Sequence, residues 1–285
     1  MSPFTLPDSL LESLLLDDTP YGDATTWGLG IGDAPGCLLF HARHAQVACC
    51  TEEAARMGTL RGLHLDGALV TSGTTVAAGT LLLTLTGRAA DLHSVWKPAQ
   101  TLMEYAAGIA SATAELVAAA RRGNPLVPVA CTRKHMPGAK AMSVKAILAG
   151  GAVPHRLGLS ETLLVFAEHR AFQGAEAPAE IVARLHRSWP ERQVVVEVAN
   201  EEEALAWIEA GADVIQLEKC PPDIVEAVVQ LAVGRAVKIA AAGGVSAANA
   251  EAYARAGAHI LVSSAPYGAP PRDVAVTLTG LSHAP

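Results

Sequence analysis

Polar and charged side chains recur at or near the ends of the apolar, strand-like runs in this sequence. At the ends of the runs LVPVACT, VVVEV, VIQL, VKIAAA and HILV lie Arg133, Lys134, Glu197, Glu218, Gly243, Gly244, Ser263 and Ser264. In β/α barrels the carboxyl ends of several strands together build the active site. One such residue alone is better explained by contact with solvent, but the same pattern at five strand ends favours a shared catalytic site.

Cations form a cluster in a chain that is acidic overall. The 285 residues include 21 Lys and Arg against 28 Asp and Glu, a formal net charge of −7. Arginine presents a planar fork that matches carboxylates and phosphates, and lysine supplies a mobile point charge. A cationic cluster therefore predicts a small anionic ligand. It lies in the segments TRKHMPGAK and PHRLGLSE and comprises Arg133, Lys134, Lys140, His155 and Arg156.

Two carboxylates, Glu197 and Glu218, end neighbouring predicted strands. Carboxylates close to bound phosphates typically hold Mg²⁺, which keeps several waters and bridges phosphate oxygens. The pair Gly243-Gly244 precedes a predicted helix that begins at Ser246, where backbone N–H groups would bind a phosphate, although such a pair is equally typical of a plain turn. Together these residues predict a site for a small anionic substrate, a phosphorylated sugar and a magnesium ion.

The elements that must position these residues fall into two halves. From Gly36 to Val95, short Val-, Thr- and Leu-rich runs separated by glycine predict strands and hairpins. A long helix is predicted from Pro98 to Arg121, and its stretch AAGIASA predicts close packing against the barrel or another subunit. From Leu126 onward, six apolar strands alternate with helices, as in an open doubly wound parallel sheet or a β/α barrel. The polar strand ends favour the barrel.

The composition excludes several classes of protein. Hydrophobic residues make up 51% and charged residues 17% of the chain, which argues against a disordered or fibrous protein. The absence of a basic run disfavours nucleic acid and anionic membranes as partners. No stretch of about 18 uncharged apolar residues predicts a transmembrane helix, and no cationic N-terminal region predicts a secretory signal. Five cysteines without C-x-x-C spacing indicate reduced thiols, so we expect a cytoplasmic enzyme.

Five sequence motifs spread over nearly the whole chain carry a family resemblance. In order they are YGDATT, GIASAT, CTRKHMPGAKAMSVKAILAGGAVPHRLGLSE, VEVANEEEALAWIEAGADVIQLE and AGGVSAANAEAYARAGAHILVSSAPY. Their sequences and their order resemble the quinolinate phosphoribosyltransferases, also called nicotinate-nucleotide pyrophosphorylases. The segments TRKHMPG, VFAEH and SSAPY are similar to the ModD branch of that family, whose members accompany molybdenum-transport proteins.

The resemblance implies the α/β fold of type II phosphoribosyltransferases. That fold consists of an N-terminal open-faced α/β sandwich domain and an incomplete, six-stranded α/β barrel. We place the N-terminal domain at residues 1–112 and the barrel at 113–267, with the tail 268–285 packing on the N-terminal domain. The resemblance also implies a homodimer with shared active sites, in which Lys97 of one subunit reaches into the site of its neighbour.

The resemblance further implies transfer of a phosphoribosyl group from PRPP to a carboxylated, pyridine-like acceptor, with Mg²⁺ bound and pyrophosphate released. By that similarity Arg133, His155 and Arg156 would hold the carboxylate of the acceptor. Lys134 would lie near both the acceptor and the pyrophosphate, and Glu197 and Glu218 would engage Mg²⁺ and the ribose hydroxyls; these three are the catalytic candidates. The implied phosphate-binding residues are Lys140, Gly243, Gly244, Ser263 and Ser264.

Five positions depart from the family pattern. Lys97 replaces an arginine, Ala242 replaces a serine, and Glu218-Lys219 replaces an aspartate-asparagine pair. Phe166, a predicted substrate-binding residue, stands where the family places a lysine of the quinolinate pocket. A buried carboxylate without its cationic partner costs several kcal/mol. We therefore expect the acceptor to be a less charged or larger ring compound with one carboxylate, rather than quinolinate itself.

Two other functions are compatible with parts of this pattern. The first is a non-catalytic protein that binds a metabolite or oxyanion in association with molybdenum transport. The second is another barrel enzyme, such as an aldolase or a phosphate-sugar isomerase, with Lys134 as a Schiff-base lysine. Arg133 beside that lysine and the two glutamates fit PRPP better, and the retention of the whole charged set favours catalysis over binding alone.

Overall fold

The computed structural model of the chain describes residues 4–281, which form two compact units. The first unit contains the chain up to Ala114, the segment Met136–Gly151 and the chain from Gly268 onward. The second unit contains Glu115–His135 and Ala152–Tyr267. No helix in the described range is long and apolar enough to cross a membrane.

The predicted domains and these two units divide the chain differently. The predicted barrel domain ran without interruption over 113–267, whereas the segment Met136–Gly151 groups with the first unit. The predicted N-terminal domain began at residue 1 and the tail extended to 285. Residues 1–3 and 282–285 lie outside the described residues.

Helices and strands follow one another along most of the described chain. In chain order the helices are α1 (Asp8–Asp18), α2 (Ala24–Leu29), α3 (Thr51–Leu60), α4 (Ala89–Gly123), α5 (Lys140–Ala149), α6 (Ala167–Arg170), α7 (Pro178–Ser188), α8 (Glu201–Glu209), α9 (Pro222–Leu231) and α10 (Ala250–Arg255). The strands are β1 (Pro35–Ala42), β2 (Gln46–Val47), β3 (His64–Leu65), β4 (Thr75–Val76), β5 (Leu81–Arg88), β6 (Val129–Cys131), β7 (Val153–Pro154), β8 (Leu163–Val165), β9 (Val194–Val198), β10 (Val214–Glu218), β11 (Lys238–Ala242), β12 (Ile260–Ser263) and β13 (Val274–Gly280).

The second unit is built on a parallel sheet of seven strands that forms a half-barrel. The strand order is β7-β6-β12-β11-β10-β9-β8, and every neighbouring pair runs parallel. All six strands predicted from apolar runs are present, but the predicted number was one too low. The seventh strand, β7, has two residues, which is too short to produce an apolar run. The predicted α/β fold class is confirmed.

The interior of the half-barrel is apolar along the strands and polar at their carboxyl ends. Side chains two residues apart on a strand project to the same face. One face carries a buried cluster, with Phe166 and Ile260 packed against it. It consists of Ala130, Leu164, Val195, Val214, Ala240, Ala242 and Val262. Because Glu197 follows Val195 by two residues, its side chain lies one step above this apolar floor, toward the carboxyl ends of the strands.

The first unit is built on an antiparallel sheet in the order β13-β1-β5-β3. Strand β1 lies between β13 and β5, and its side chains are alternately buried and half-buried. Phe40 on β1 is fully buried and pairs with Val276 on β13. The described end of the chain is therefore a strand of this sheet.

The long helix α4 begins at Ala89, earlier than predicted, so that Pro98 lies inside the helix. The prediction that Pro98 lies in the first turn was wrong. Proline removes one backbone N–H donor from the helix, and here the residues before Pro98 still form helix. The small-residue stretch is closely packed at Gly108, but the contact there is with neither the barrel nor another subunit, the two partners that the sequence predicted. A Cβ there would collide with the backbone of Pro270 and Pro271, which belong to the same unit.

A buried ion cluster joins α5 to α3 within the first unit. Lys145 is 1% exposed, and its Nζ donates to both oxygens of Glu53 at 2.7 and 2.6 Å and to Glu52 Oε2 at 3.1 Å. Burial is the largest single influence and acts to lower the pKa of Lys145, but the hydrogen bonds to Glu53 and the nearby negative charges together outweigh it and raise that pKa. Glu53 also accepts the backbone N–H of Leu6, so the cluster anchors the start of the described chain.

Candidate functional site

A cavity of about 660 Å³ opens at the carboxyl ends of the strands of the second unit. All seven strands of the half-barrel contribute residues to it, either from the strand or from the segment that follows. The predicted site residues that line it are Arg133, Lys134, His155, Arg156, Phe166, Glu197, Glu218, Gly243, Gly244, Ser263 and Ser264. The fold therefore brings together residues that are up to 131 positions apart in the chain, from 133 to 264.

Lys97 and Lys140, the other two predicted site residues, belong to the first unit and are not among the lining residues. Lys97 is exposed on α4, where its Nζ donates to Gln100 Oε1 at 3.1 Å and lies 4.6 Å from the centre of the Trp96 ring. Lys140 is the exposed first residue of α5.

Arg133, His155 and Arg156 form the cationic side of the cavity. Arg156 is 8% exposed, and burial together with the charge of Arg133 lowers its pKa. Burial and, second, the charge of Arg156 lower the pKa of His155, so this imidazole is neutral near pH 7. An arginine stays charged at that pH even when its pKa is lowered. Two guanidinium groups of the same charge make this side of the cavity attractive to an anion.

Phe166 forms the apolar wall beside these cations. The guanidinium carbon of Arg156 lies 5.6 Å from the ring centre, within the range of a cation–π contact. The imidazole of His169 stacks on the ring at 5.7 Å between centres. The backbone N–H of Phe166 donates to Nδ1 of His169 at 3.0 Å and holds that imidazole in place. An incoming ligand therefore meets an aromatic ring here, with one guanidinium already directed at that ring.

Glu197 and Glu218 form the acidic side of the cavity, on the neighbouring strands β9 and β10. Burial and, second, the charge of Glu218 raise the pKa of Glu197. The Nε2 group of Gln216 donates to Glu197 Oε2 at 2.7 Å and acts in the opposite direction. Because the charge of Glu218 disfavours ionisation of Glu197, a cation bound beside them would stabilise the ionised form of Glu197.

Gln216 is a cavity residue that the sequence analysis missed. It lies on β10 level with Glu197 on β9, and it is 4% exposed. Its signal in the sequence is a single glutamine inside the apolar run VIQL, two residues before Glu218 and therefore on the same face of the strand. The cavity also includes Glu168, which follows β8 and carries a further negative charge.

The pair Gly243-Gly244 follows β11 at the rim of the cavity. Both residues have positive φ angles, 78° and 90°, which favour glycine. A Cβ on Gly243 would lie 2.6 Å from the backbone nitrogen of Lys219 and 2.8 Å from the carboxyl carbon of Glu218, so only glycine fits there. The helix predicted to begin at Ser246 begins instead at Ala250, as α10. The residues between are held as a loop by Asn249, which is bonded to Gly244 and Ser246.

The two serines after β12 differ in their surroundings. Ser263 is 3% exposed, and its hydroxyl donates to the carbonyl of Val245 at 2.6 Å and accepts the N–H of Ala265 at 3.0 Å. The hydroxyl of Ser263 is thus engaged in holding the glycine loop against the end of β12. Ser264 is half-buried and lines the cavity beside it.

Lys219 adopts a conformation that is rare for a lysine. Its φ is 58°, in the left-handed region, and its backbone N–H donates to the carbonyl of Ala242 at 2.8 Å. Asparagine tolerates this region far better than lysine does. The left-handed backbone therefore explains why an asparagine suits this position, where the family pattern has asparagine and this chain has lysine.

Most of the sequence matches one family in two consecutive parts. Residues 23–107 match the description "Quinolinate phosphoribosyl transferase, N-terminal domain", and residues 109–277 match "Quinolinate phosphoribosyl transferase, C-terminal domain". The chain belongs to the quinolinate phosphoribosyltransferase family. The resemblance stated from the sequence motifs is therefore confirmed, and phosphoribosyl transfer is the activity associated with the family.

Individual relatives and a solved structure are similar to the chain over most of its length. It is 49% identical over 255 residues to "Putative pyrophosphorylase ModD" of Rhodobacter capsulatus, covering 89% of this chain and 98% of the relative. It is 36% identical over 276 residues to a relative of the same name in Escherichia coli O6:H1, covering 96% and 97%. The fold matches the crystal structure of NadC from Streptococcus pyogenes with a TM-score of 0.89, at 23% identity and 96% and 97% coverage.

Proposed function

We propose that the cavity transfers a phosphoribosyl group from PRPP to the ring nitrogen of a carboxylated aromatic acceptor. The observation that supports this most strongly is the separation of charge within one cavity. Arg133 and Arg156 stand on the side that would attract a carboxylate, and Glu197 and Glu218 stand with the glycine loop on the side that would take a phosphorylated sugar. Membership of a phosphoribosyltransferase family adds to this support.

At the acceptor end, Arg133, His155 and Arg156 would bind the carboxylate. The neutral imidazole of His155 can donate one hydrogen bond without adding to the repulsion between the two arginines. Phe166 and Leu164 would contact the ring itself. Lys134, which is exposed at the mouth of the cavity, would approach the pyrophosphate as it leaves.

At the donor end, the loop at Gly243 and Gly244 would bind the 5-phosphate through backbone N–H groups, assisted by Ser264. Ser263 would support that loop, because its hydroxyl is already bonded to Val245 and Ala265. Glu197 would engage the ribose hydroxyls. Lys140 is not among the lining residues of this cavity, so its proposed contact with phosphate rests on the family resemblance alone.

The acidic side of the cavity fits a magnesium ion bound jointly with the substrate. The described residues contain no group of three or more His, Cys, Asp or Glu side chains placed to hold a metal by themselves. Mg²⁺ commonly needs only one or two carboxylates when substrate phosphates and waters complete its shell. Glu197 and Glu218 would hold it, and it would stabilise the negative charge of the departing pyrophosphate.

In the proposed reaction the ring nitrogen donates its electron pair to C1 of the ribose while the bond from C1 to the pyrophosphate oxygen breaks. The electron pair of that bond leaves with pyrophosphate, and the ribose passes through an oxocarbenium-like state. The residues of this chain would hold the two reactants in line, exclude water, and stabilise the developing charges through Glu197 and Lys134. A Schiff base on Lys134 is less compatible with the site, because this lysine is exposed rather than desolvated.

Calorimetric titration of PRPP with Mg²⁺ into the purified protein tests this function. We expect micromolar binding, and pyrophosphate release when the correct aromatic acid is added from a panel that includes nicotinate and quinolinate. The variant Glu197→Gln keeps the size of the side chain and should abolish turnover while the protein stays folded by circular dichroism. If PRPP fails to bind with and without each acid, the function is instead that of a non-catalytic binding protein.

We further propose that the enzyme is a homodimer with shared active sites. The support is the family resemblance, together with the exposure of Lys97 on α4 in a unit whose described residues do not line the cavity. Lys97 of one subunit would then supply a cation to the site of the other.

A further inference from the structure

Gln216 is a buried polar side chain at the floor of the cavity. It is 4% exposed and lines the cavity. On the same face of β10, the residue two positions before it is Val214, which belongs to the apolar cluster, and the residue two positions after it is Glu218. Gln216 therefore lies at the boundary between the apolar core and the acidic side of the site.

The described residues satisfy only one end of the Gln216 amide. Its Nε2 group donates to Glu197 Oε2 at 2.7 Å, whereas its Oε1 atom is buried and has no hydrogen-bond partner among the residues described. A buried carbonyl oxygen without a partner lowers the stability of the folded protein. Because Gln216 also lines the cavity, a ligand bound there would bring the missing hydrogen-bond donor.

The neighbours of Gln216 indicate the chemistry of that ligand. Its Oε1 atom accepts hydrogen bonds only, so the partner must carry an O–H or N–H group. The flanking carboxylates of Glu197 and Glu218 are also acceptors when ionised. Several hydrogen-bond acceptors close together can each accept a hydrogen bond from one of two adjacent hydroxyl groups, as in a sugar diol. A carboxylate or phosphate oxygen would instead be repelled.

We propose that Gln216 is a sugar-binding residue: its Oε1 atom accepts a hydrogen bond from a ribose hydroxyl of the phosphoribosyl donor, while its Nε2 group holds Glu197 in position. This inference rests on the proposed function and assigns to it one further contact. A site built to bond a substrate hydroxyl leaves its own polar group unsatisfied when that hydroxyl is missing, so Gln216 would favour a hydroxylated sugar over an analogue that lacks the group.

The variant Gln216→Met separates binding from stability, because methionine keeps the length of the side chain and removes both polar ends. Without ligand we expect it to unfold at the same temperature as the wild type or higher, since the unsatisfied amide is gone. In calorimetric titrations with Mg²⁺, we expect its affinity for PRPP and for ribose 5-phosphate to fall about 10-fold or more. Its affinity for pyrophosphate, which carries no sugar hydroxyl, should change much less.

A matched control is Gln46→Met in the first unit. Gln46 is also 4% exposed, and neither polar end of its side chain has a partner in the described part of the chain. This variant should leave all three ligand affinities unchanged. If Gln216→Met does not fold, the shorter amide of Gln216→Asn provides a second test, and we expect it to lose affinity for ribose 5-phosphate as well.

Two failures are distinguishable. Unchanged affinity for ribose 5-phosphate in Gln216→Met, together with a lower unfolding temperature, would overturn the assignment and make Gln216 a structural residue. A wild-type protein that binds ribose 5-phosphate but not PRPP would overturn the proposed function, while a weaker affinity in the variant would still support the sugar contact of Gln216.

Discussion

At the scale of single residues, the pKa of Glu197 depends on burial and on two neighbours on β10, Glu218 and Gln216. Burial and the charge of Glu218 raise its pKa, and the hydrogen bond from Gln216 lowers it. For a carboxyl group, a raised pKa means that the ionised form is lost at a higher pH than usual. If ionised Glu197 is needed for turnover, the acid side of the pH profile lies above the ordinary range of a glutamate.

Removing the neighbouring charge tests this dependence. In Glu218→Gln the carboxylate that disfavours ionisation of Glu197 is absent, so the pKa of Glu197 falls and the acid limb of kcat/KM moves to lower pH. The maximal rate should fall as well, because Glu218 belongs to the proposed metal site. Glu168→Gln is the matched control, since Glu168 raises the same pKa more weakly and its removal should give a smaller shift in the same direction. An acid limb that stays in place in Glu218→Gln would contradict the prediction.

We expect Phe166 to limit how much negative charge the acceptor can carry. In Phe166→Lys a cation replaces the ring that Arg156 and His169 contact, and a second acceptor carboxylate gains a partner. A charged hydrogen bond is worth about 1.5–3 kcal/mol, so quinolinate should bind roughly 10-fold or more tightly, measured by calorimetry. Phe166→Met removes the ring without adding charge and should give no gain. The absence of a gain in Phe166→Lys would mean that this side chain does not face the acceptor.

At the scale of helices and strands, the ion cluster between α5 and α3 shows how a buried charge ties two elements together. Lys145→Met leaves Glu53 buried without its cation, so we expect a loss of about 3–5 kcal/mol in the free energy of unfolding, measured with urea. Adding Glu53→Gln to this variant removes the unpaired charge and keeps an acceptor for the Leu6 N–H, so much of the loss should be recovered. A double variant as unstable as Lys145→Met would contradict this account.

The elements that the sequence predicted correctly are those with a clear local pattern. Six apolar runs gave six strands of the half-barrel, whereas β7 was missed because two residues carry no pattern. The helix expected at Ser246 begins at Ala250, because the side chain of Asn249 donates to the carbonyl of Gly244 and holds the intervening residues as a loop. The hydrophobic pattern of the sequence does not predict such a loop. Gln216 was missed for a related reason. Its importance depends on which side chain stands level with it on β9, and strand register is a tertiary property.

At the scale of the whole molecule, the cavity is lined by one unit while a predicted site cation, Lys97, belongs to the other. Symmetric dimers allow such a residue to act on the site of the second subunit, since both copies make the same contribution in exchange. A site shared between subunits predicts rescue of activity in mixed dimers, whereas a site built from one subunit does not. In a shared site, a subunit without Glu197 would still supply Lys97 to a neighbour that lacks Lys97 but keeps its own Glu197.

Mixing Lys97→Ala with Glu197→Ala tests the shared site directly. Each variant alone should be nearly inactive. After the subunits are dissociated and reassembled in equal amounts, half of the dimers contain one copy of each, and one of their two sites combines an intact Glu197 with an intact Lys97. The mixture should therefore recover about a quarter of the wild-type rate of pyrophosphate release. If Lys97 acts within its own subunit, every site in the mixed dimer lacks one of the two residues and no activity returns, so recovery distinguishes the two arrangements without any further structure.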